Sequence, residues 1–154
     1  MPEENRDLFK IFSQNENKIA ELYALYALAI PSQEKMWTRL SGEEIKHSMA
    51  LLKLDSIYHD DEKSYSAIQE ARNILNYVGE FIDQQIAEAR ESKISAQQAI
   101  AVAMRLELSM IERKCFDIFS TAETEIISVL ERLNKETESH FQQLKIFADK
   151  FGIF

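Results

Sequence analysis

The chain has 154 residues, enough for one domain around a single sizeable core and too few for two. With 18 Lys plus Arg against 26 Asp plus Glu, its formal charge is -8, which repels phosphate backbones and anionic lipid, so neither nucleic acid nor membrane is an expected partner. Only 3 Gly and 2 Pro interrupt a composition rich in Ala, Leu, Ile, Glu, Lys and Gln, which predicts an all-α fold of long helices.

Met1-Pro2-Glu3-Glu4-Asn5-Arg6 lacks the basic-then-apolar order of a signal peptide, and no stretch stays apolar for the ~18 residues of a membrane span. A soluble, cytoplasmic protein is the expectation. A first helix is predicted over 7–29, with Phe9, Phe12, Ile19, Leu22, Tyr23 and Tyr26 among its apolar positions and Pro31 as its stop. Ser32 can cap a second helix over 33–54. Its stripe of Trp37, Leu40, Glu44, His47, Leu51 and Leu54 alternates steps of three and four, which puts all six on one face.

Residues 55–93 form a connection too long for a hairpin, opening with the polar run His59-Asp60-Asp61-Glu62-Lys63. Within it Ile68, Leu75, Val78 and Ile82 recur at helical spacing and predict an extra helix over 66–90, with Tyr77 and Phe81 as further packing positions. Ser95 followed by Gln98 is a capping-box pattern opening a third helix to about residue 119. Ser120 with Glu123 repeats the pattern for a fourth. The lone Cys115 supplies neither an intrachain disulfide nor a Cys-x-x-Cys redox or iron pair, consistent with a reducing compartment.

Two antiparallel helical hairpins joined by a long crossover that contains the extra helix make a standard four-helix-bundle connectivity over residues 1–154. The sequence also repeats internally. Sliding the second-helix stripe so that Leu40 falls on Leu133 matches it to Leu130, Leu133, Thr137, His140, Leu144 and Phe147, so a histidine sits in mid-stripe on the fourth helix too.

Several core positions are charged. Glu107 lies in the stripe Ile100, Ala103, Met104, Glu107, Met110, Ile111, and Glu21 is the sole charge in the run 20–30, with Ala24, Leu25 and Leu28 along its own face. A buried carboxylate needs a cation or a proton, so these two are either metal ligands or partners of a basic residue such as Arg105 or Lys114. Without a metal, burial should raise their pKa values. Glu44 and His47 form a Glu-x-x-His pair at i and i+3, which aims both side chains at one point beside the helix. His140 is either a ligand or a core histidine bonded to Thr137 or Glu107. One carboxylate from each of two helices plus Glu-x-x-His from the other two is a di-metal carboxylate ligand set. Such oxygen and imidazole donors suit iron or manganese, and accommodate zinc.

Leu40-Ser41-Gly42-Glu43-Glu44-Ile45-Lys46-His47 resembles the L-x-x-E-E-x-x-H signature of the rubrerythrin branch of the ferritin-like superfamily, and with Glu21, Trp37 and the Glu107 helix the likeness spans most of the chain. The resemblance implies a ferritin-like bundle with Glu21 and Glu107 as single-helix metal carboxylates, Glu44 as a bridging carboxylate, and His47 and His140 as terminal imidazoles. It further implies two irons that react with oxygen or peroxide, as in a peroxidase or ferroxidase. The sequence departs from the pattern at Thr137, where the second bridging glutamate belongs; Glu136, one turn before His140, is the residue that a small helix rotation would bring in. It also places Leu28 and Lys114 where the family has a tyrosine two turns after each single-helix glutamate. No thiolate-iron module is recognisable, so electrons would come from an external donor.

The leading expectation is therefore a non-haem iron-binding protein, an oxidoreductase of peroxide or oxygen if it turns over. The alternatives are a one-metal or zinc-handling protein, which Thr137 favours, and a family member that keeps the fold as a structural or interaction module. Fold analogy adds a homodimer.

Overall fold

The computed structural model describes residues 8–57, 65–91, 93–109 and 124–152, which are helical and contain no strand. α1 (Leu8–Ala29) stops just before Pro31, and a single 3-10 turn, Pro31–Gln33, leads straight into α2 (Glu34–Ile57). α3 (Tyr65–Glu91) is the extra helix of the connection, α4 (Ala96–Glu107) follows, and α5 (Thr124–Lys150) completes the described chain. Ser95 opens α4 with the predicted reciprocal box: its Oγ accepts from the Gln98 N–H at 3.1 Å, and the Gln98 side chain accepts from the Ser95 N–H at 3.0 Å. The predicted end of the third helix, the Ser120–Glu123 start of the fourth, His59, Lys114 and Cys115 lie outside the described residues.

The helices pack as a bundle-like array in which α1 runs along both α2 and α3, while α5 meets α4 and α2. Small polar residues make the close approaches. Ser13 Oγ bonds the Ser48 carbonyl at 2.8 Å, and Ser41 Oγ bonds the Ala20 carbonyl at 2.7 Å, tying α1 to α2. Asn15 Nδ2 donates to the Leu75 carbonyl on α3 at 2.8 Å, and Gly79 makes room for it, since a Cβ there would sit 2.9 Å from Asn15 Oδ1.

Apolar burial is split between two clusters. One gathers Leu22, Tyr23 and Tyr26 of α1, Trp37 and Leu40 of α2, Ile82 and Ile86 of α3, Ala99 to Leu106 of α4, and Leu144 and Ala148 of α5. The other gathers Leu8, Phe9 and Phe12, Leu51 and Leu54, Ala71 and Leu75, and Ile126, Leu130 and Leu133. Between them, on α1, α2, α4 and α5, fall the buried polar residues Glu16, Glu44, His47, Glu107, Thr137 and His140. The order in which each helix visits the clusters gives its direction: α1, α3 and α5 run one way along the array, and α2 runs back. α4 spends its length in the first cluster and ends at the polar layer with Glu107, antiparallel to α5. Among the described residues no helix is long and apolar enough to cross a membrane.

Candidate metal centre

Both predicted stripes face inward. On α2 all six residues, from Trp37 to Leu54, are buried, and on α5 Leu130, Leu133, Thr137, His140 and Leu144 are buried with Phe147 partly so. The i, i+3 spacing then projects Glu44 and His47 into the layer between the two apolar clusters, and α5 supplies His140 opposite them.

Glu44 is the centre of the arrangement. Its Oε1 lies 3.1 Å from His140 Nδ1, and its Oε2 lies 3.4 Å from His47 Nδ1, so each oxygen faces a histidine from a different helix. Glu107 Oε1 stands 3.5 Å from the same His140 nitrogen and accepts a 3.0 Å hydrogen bond from the Tyr23 hydroxyl. Glu16 hydrogen-bonds Glu44 from α1. Two triads result, Glu16-Glu44-His47 and Glu44-Glu107-His140, each able to offer three ligand atoms within 4.8 Å of one another, with Glu44 common to both.

Glu16, not Glu21, is the α1 carboxylate that reaches this layer. Glu21 is an exposed residue on the outer face with Ala24 and Leu28, where it pairs with Arg90 of α3. Five helical steps take Glu16 to Glu21, which turns their side chains about 140° apart. The apolar run around Glu21 is an outward face, with Leu28 79% exposed. The α1 core stripe is instead Phe9, Phe12, Glu16, Ile19, Tyr23 and Tyr26, again in steps of three and four, and Glu16 fills its one polar gap. In that frame the residue two turns after the glutamate is a tyrosine, Tyr23, rather than Leu28.

The outer edges of the histidines carry carboxylates as well. Glu136 Oε2 lies 2.7 Å from His47 Nε2, and Glu43 pairs with His140 Nε2, so each helix's glutamate holds the other helix's ring. The two imidazoles stack with centroids 5.4 Å apart and 11° between planes. Glu136, expected as a substitute inner ligand, thus stands on the far side of His47 from Glu44. Each imidazole turns Nδ1 inward and is held at Nε2 by a carboxylate, which fixes the orientation of the ring. Thr137 is buried at the position that matches Glu44 in the repeat.

Burial pushes Glu44 up, but hydrogen bonds from Glu16, His140 and His47, with the charge of His47, hold its carboxyl well below the usual range. For His140, burial lowers the pKa and is outweighed by hydrogen bonds and charges from Glu107 and Glu44, which push it up to about 11. Burial first, then the charges of Glu107 and Glu44, hold the Tyr23 phenol well above its ordinary value. A cation entering the second triad must therefore displace a proton from His140.

Comparison of the chain with protein-family models, with curated proteins and with solved structures finds no match in any of the three.

Proposed function

We propose that the protein is a ferritin-like bundle of the rubrerythrin type whose centre would hold iron at two positions, with Glu44 common to both triads, and that bound Fe(II) would there reduce peroxide or oxygen. The observation that carries this reading is the placement of Glu44, with one oxygen toward His47 and the other toward His140, and with Glu16 and Glu107 completing a triad on either side. Helix directions support the ferritin-like order: α1 and α5 run one way, α2 and α4 the other, and α3 returns the chain between the two hairpins.

Three carboxylates and two imidazoles with no thiolate suit iron or manganese, and zinc is compatible. Bound Fe(II) would supply the electrons for O–O cleavage, with an external donor restoring them. The protein's residues do the rest. Glu44 spans the two positions, Glu16 and Glu107 bring compensating charge, and Glu43 and Glu136 fix the histidine rings. Tyr23 keeps its proton and donates it as a hydrogen bond to Glu107, which orients that carboxylate. Glu16, Glu44, Glu107, His47 and His140 lie buried between the two apolar clusters.

Thr137 favours a second reading, a single cation such as iron or zinc. Three carboxylates leave one positive charge on two divalent ions that a glutamate at Thr137 would have neutralised. Iron per chain after anaerobic Fe(II) loading and desalting separates the readings, with His47→Ala as control. About two irons, lost in the control, support the dinuclear centre; one supports the mononuclear site. None, together with a melting temperature indifferent to chelator, leaves a structural or interaction module. Homodimerisation belongs to the same proposal by fold analogy.

A further inference from the structure

α2 carries a second stripe. Thr38, Gly42, Ile45, Met49 and Leu52 follow one another in steps of four and three on a face nearly opposite the buried stripe that runs from Trp37 to Leu54. Ile45, Met49 and Leu52 are 46%, 66% and 52% exposed, and Leu28 of α1, 79% exposed, borders the same face beside Thr38. These four are half of the large apolar side chains exposed among the described residues, and a monomer has no use for such a gathering. Beside the start of the stripe lies a groove of about 480 Å³ between α1 and α2, with Ala24, Ala27, Leu28 and Pro31 on one side and Glu34, Thr38 and Ser41 on the other. Gly42, next along, has nothing within 4 Å of where a Cβ would stand, so no contact within the chain calls for a glycine, which weakens a helix interior relative to alanine. A second helix packed closely against it does.

We propose that this face is the interface between two copies of the chain, with α2 packed antiparallel on the partner's α2 about a two-fold axis at Ile45. Reversal about Ile45 makes the stripe complementary to itself. Thr38 and Leu52 are each seven residues from Ile45, and Gly42 and Met49 are three and four, so a small residue meets a large one on either side of the axis. The partner's Leu52, roughly 10 Å of helix from the axis, is thereby delivered to the groove beside Thr38, and the partner's Met49 covers the bare backbone at Gly42. A partner of unrelated sequence would not require the two ends of one stripe to match each other. Steps of four and three pack at a shallow crossing angle, which keeps two helices in contact along the whole stripe, roughly 21 Å. With α1 beside α2 the face is roughly 20 Å wide, an extent comparable to the ~800 Å² per partner of a standard interface. Lys35, Lys46 and Lys53 stand exposed on the rim away from α1, and the two-fold sets this basic rim against its own copy. The inference deepens the homodimer proposed above and does not depend on the metal centre, so the two fail separately.

The test is sedimentation equilibrium of the metal-free full chain across micromolar concentrations. A dimer is expected, tightened by added salt because the facing lysine rims are screened. Ile45→Glu sets two carboxylates against each other on the axis and should weaken association by ~100-fold or more, with circular dichroism unchanged since the side chain is exposed in the monomer. Gly42→Leu should do the same while raising the melting temperature of the monomer, a pairing of signs that a merely damaged fold would not give. Ile45→Cys should form an intermolecular disulfide under mild oxidation, with the unsubstituted chain, which has Cys115 alone, as control. A monomer at every concentration would overturn the proposal and leave the face to a different partner. A dimer that survives Ile45→Glu or Gly42→Leu, or that leaves Ile45→Cys unlinked, would put the contact elsewhere and overturn it as well.

Discussion

Replacing Glu16 with Gln and, separately, Glu21 with Gln sets the geometry of α1 against its apolar pattern. Glu16 is 3% exposed and hydrogen-bonded to Glu44, and its loss leaves the first triad two protein ligands, Glu44 and His47. Removing an outer partner of a metal ligand costs about 10–100-fold in affinity. Removing a ligand outright should exceed that, so we expect Glu16→Gln to weaken one of two Co(II) binding events by more than ~100-fold, or about 3 kcal/mol. The amide can still donate to Glu44, so the fold should persist. Glu21 pairs with Arg90 at the surface, the two side chains being 46% and 59% exposed, and Glu21→Gln should change stability by no more than ~1 kcal/mol and leave both binding events intact. Co(II) titration by absorbance, with metal analysis of desalted protein, reads both. Loss of binding in Glu21→Gln with retention in Glu16→Gln would refute the assignment of the α1 face.

Three further outcomes are expected. For the metal-free protein, His140 raised from 6.5 to about 11 stabilises fully below pH 6.5 and progressively less toward 11, whereas Glu44, depressed from 4.5, stabilises above 4.5 and less as pH falls. The urea midpoint should therefore be highest between about pH 4.5 and 6.5, and a midpoint that rises steadily from pH 6.5 to 9 would contradict this network. Thr137→Glu should tighten binding of the second cation while lowering metal-free stability by several kcal/mol, as an extra buried carboxylate requires; calorimetry with and without Mn(II) checks both signs. Gly79→Ala places a Cβ 2.9 Å from Asn15 Oδ1 and should cost about 1–3 kcal/mol in chemical denaturation, most of it recovered when Asn15→Ala is added.

The stripes of α2 and α5 were legible because strict three-and-four spacing with leucines on both sides leaves one way to bury each helix, and Glu44, His47 and His140 are carried in with them. Glu107 was legible for the same reason. Glu16 was not. It sits in Gln14-Asn15-Glu16-Asn17-Lys18, a local stretch that reads as a solvated face, although Asn15 is also buried, against α3. The signal that finds Glu16 is the longer frame from Phe9 to Tyr26, which outweighs its four polar neighbours. Glu21 misled for the converse reason: an apolar run in a helix core is a cue only when its residues share the buried face, and Ala24 and Leu28 do not. The outer carboxylates Glu43 and Glu136 lie one position off their stripes, and only pairing α2 with α5 reveals that each reaches the other's histidine.

The ionisable layer at mid-height also acts on the alignment of the helices. Leucine against leucine is non-directional, and two apolar stripes remain satisfied after sliding one turn, about 5.4 Å, past each other. A slide of α5 against α2 by that amount would take His140 away from Glu43 and Glu44 and part Glu136 from His47, leaving a buried charged ring without its partners, a loss of several kcal/mol that apolar contact does not offset. Charge therefore fixes the vertical alignment that grease leaves open, and it does so with the protein's own side chains alone.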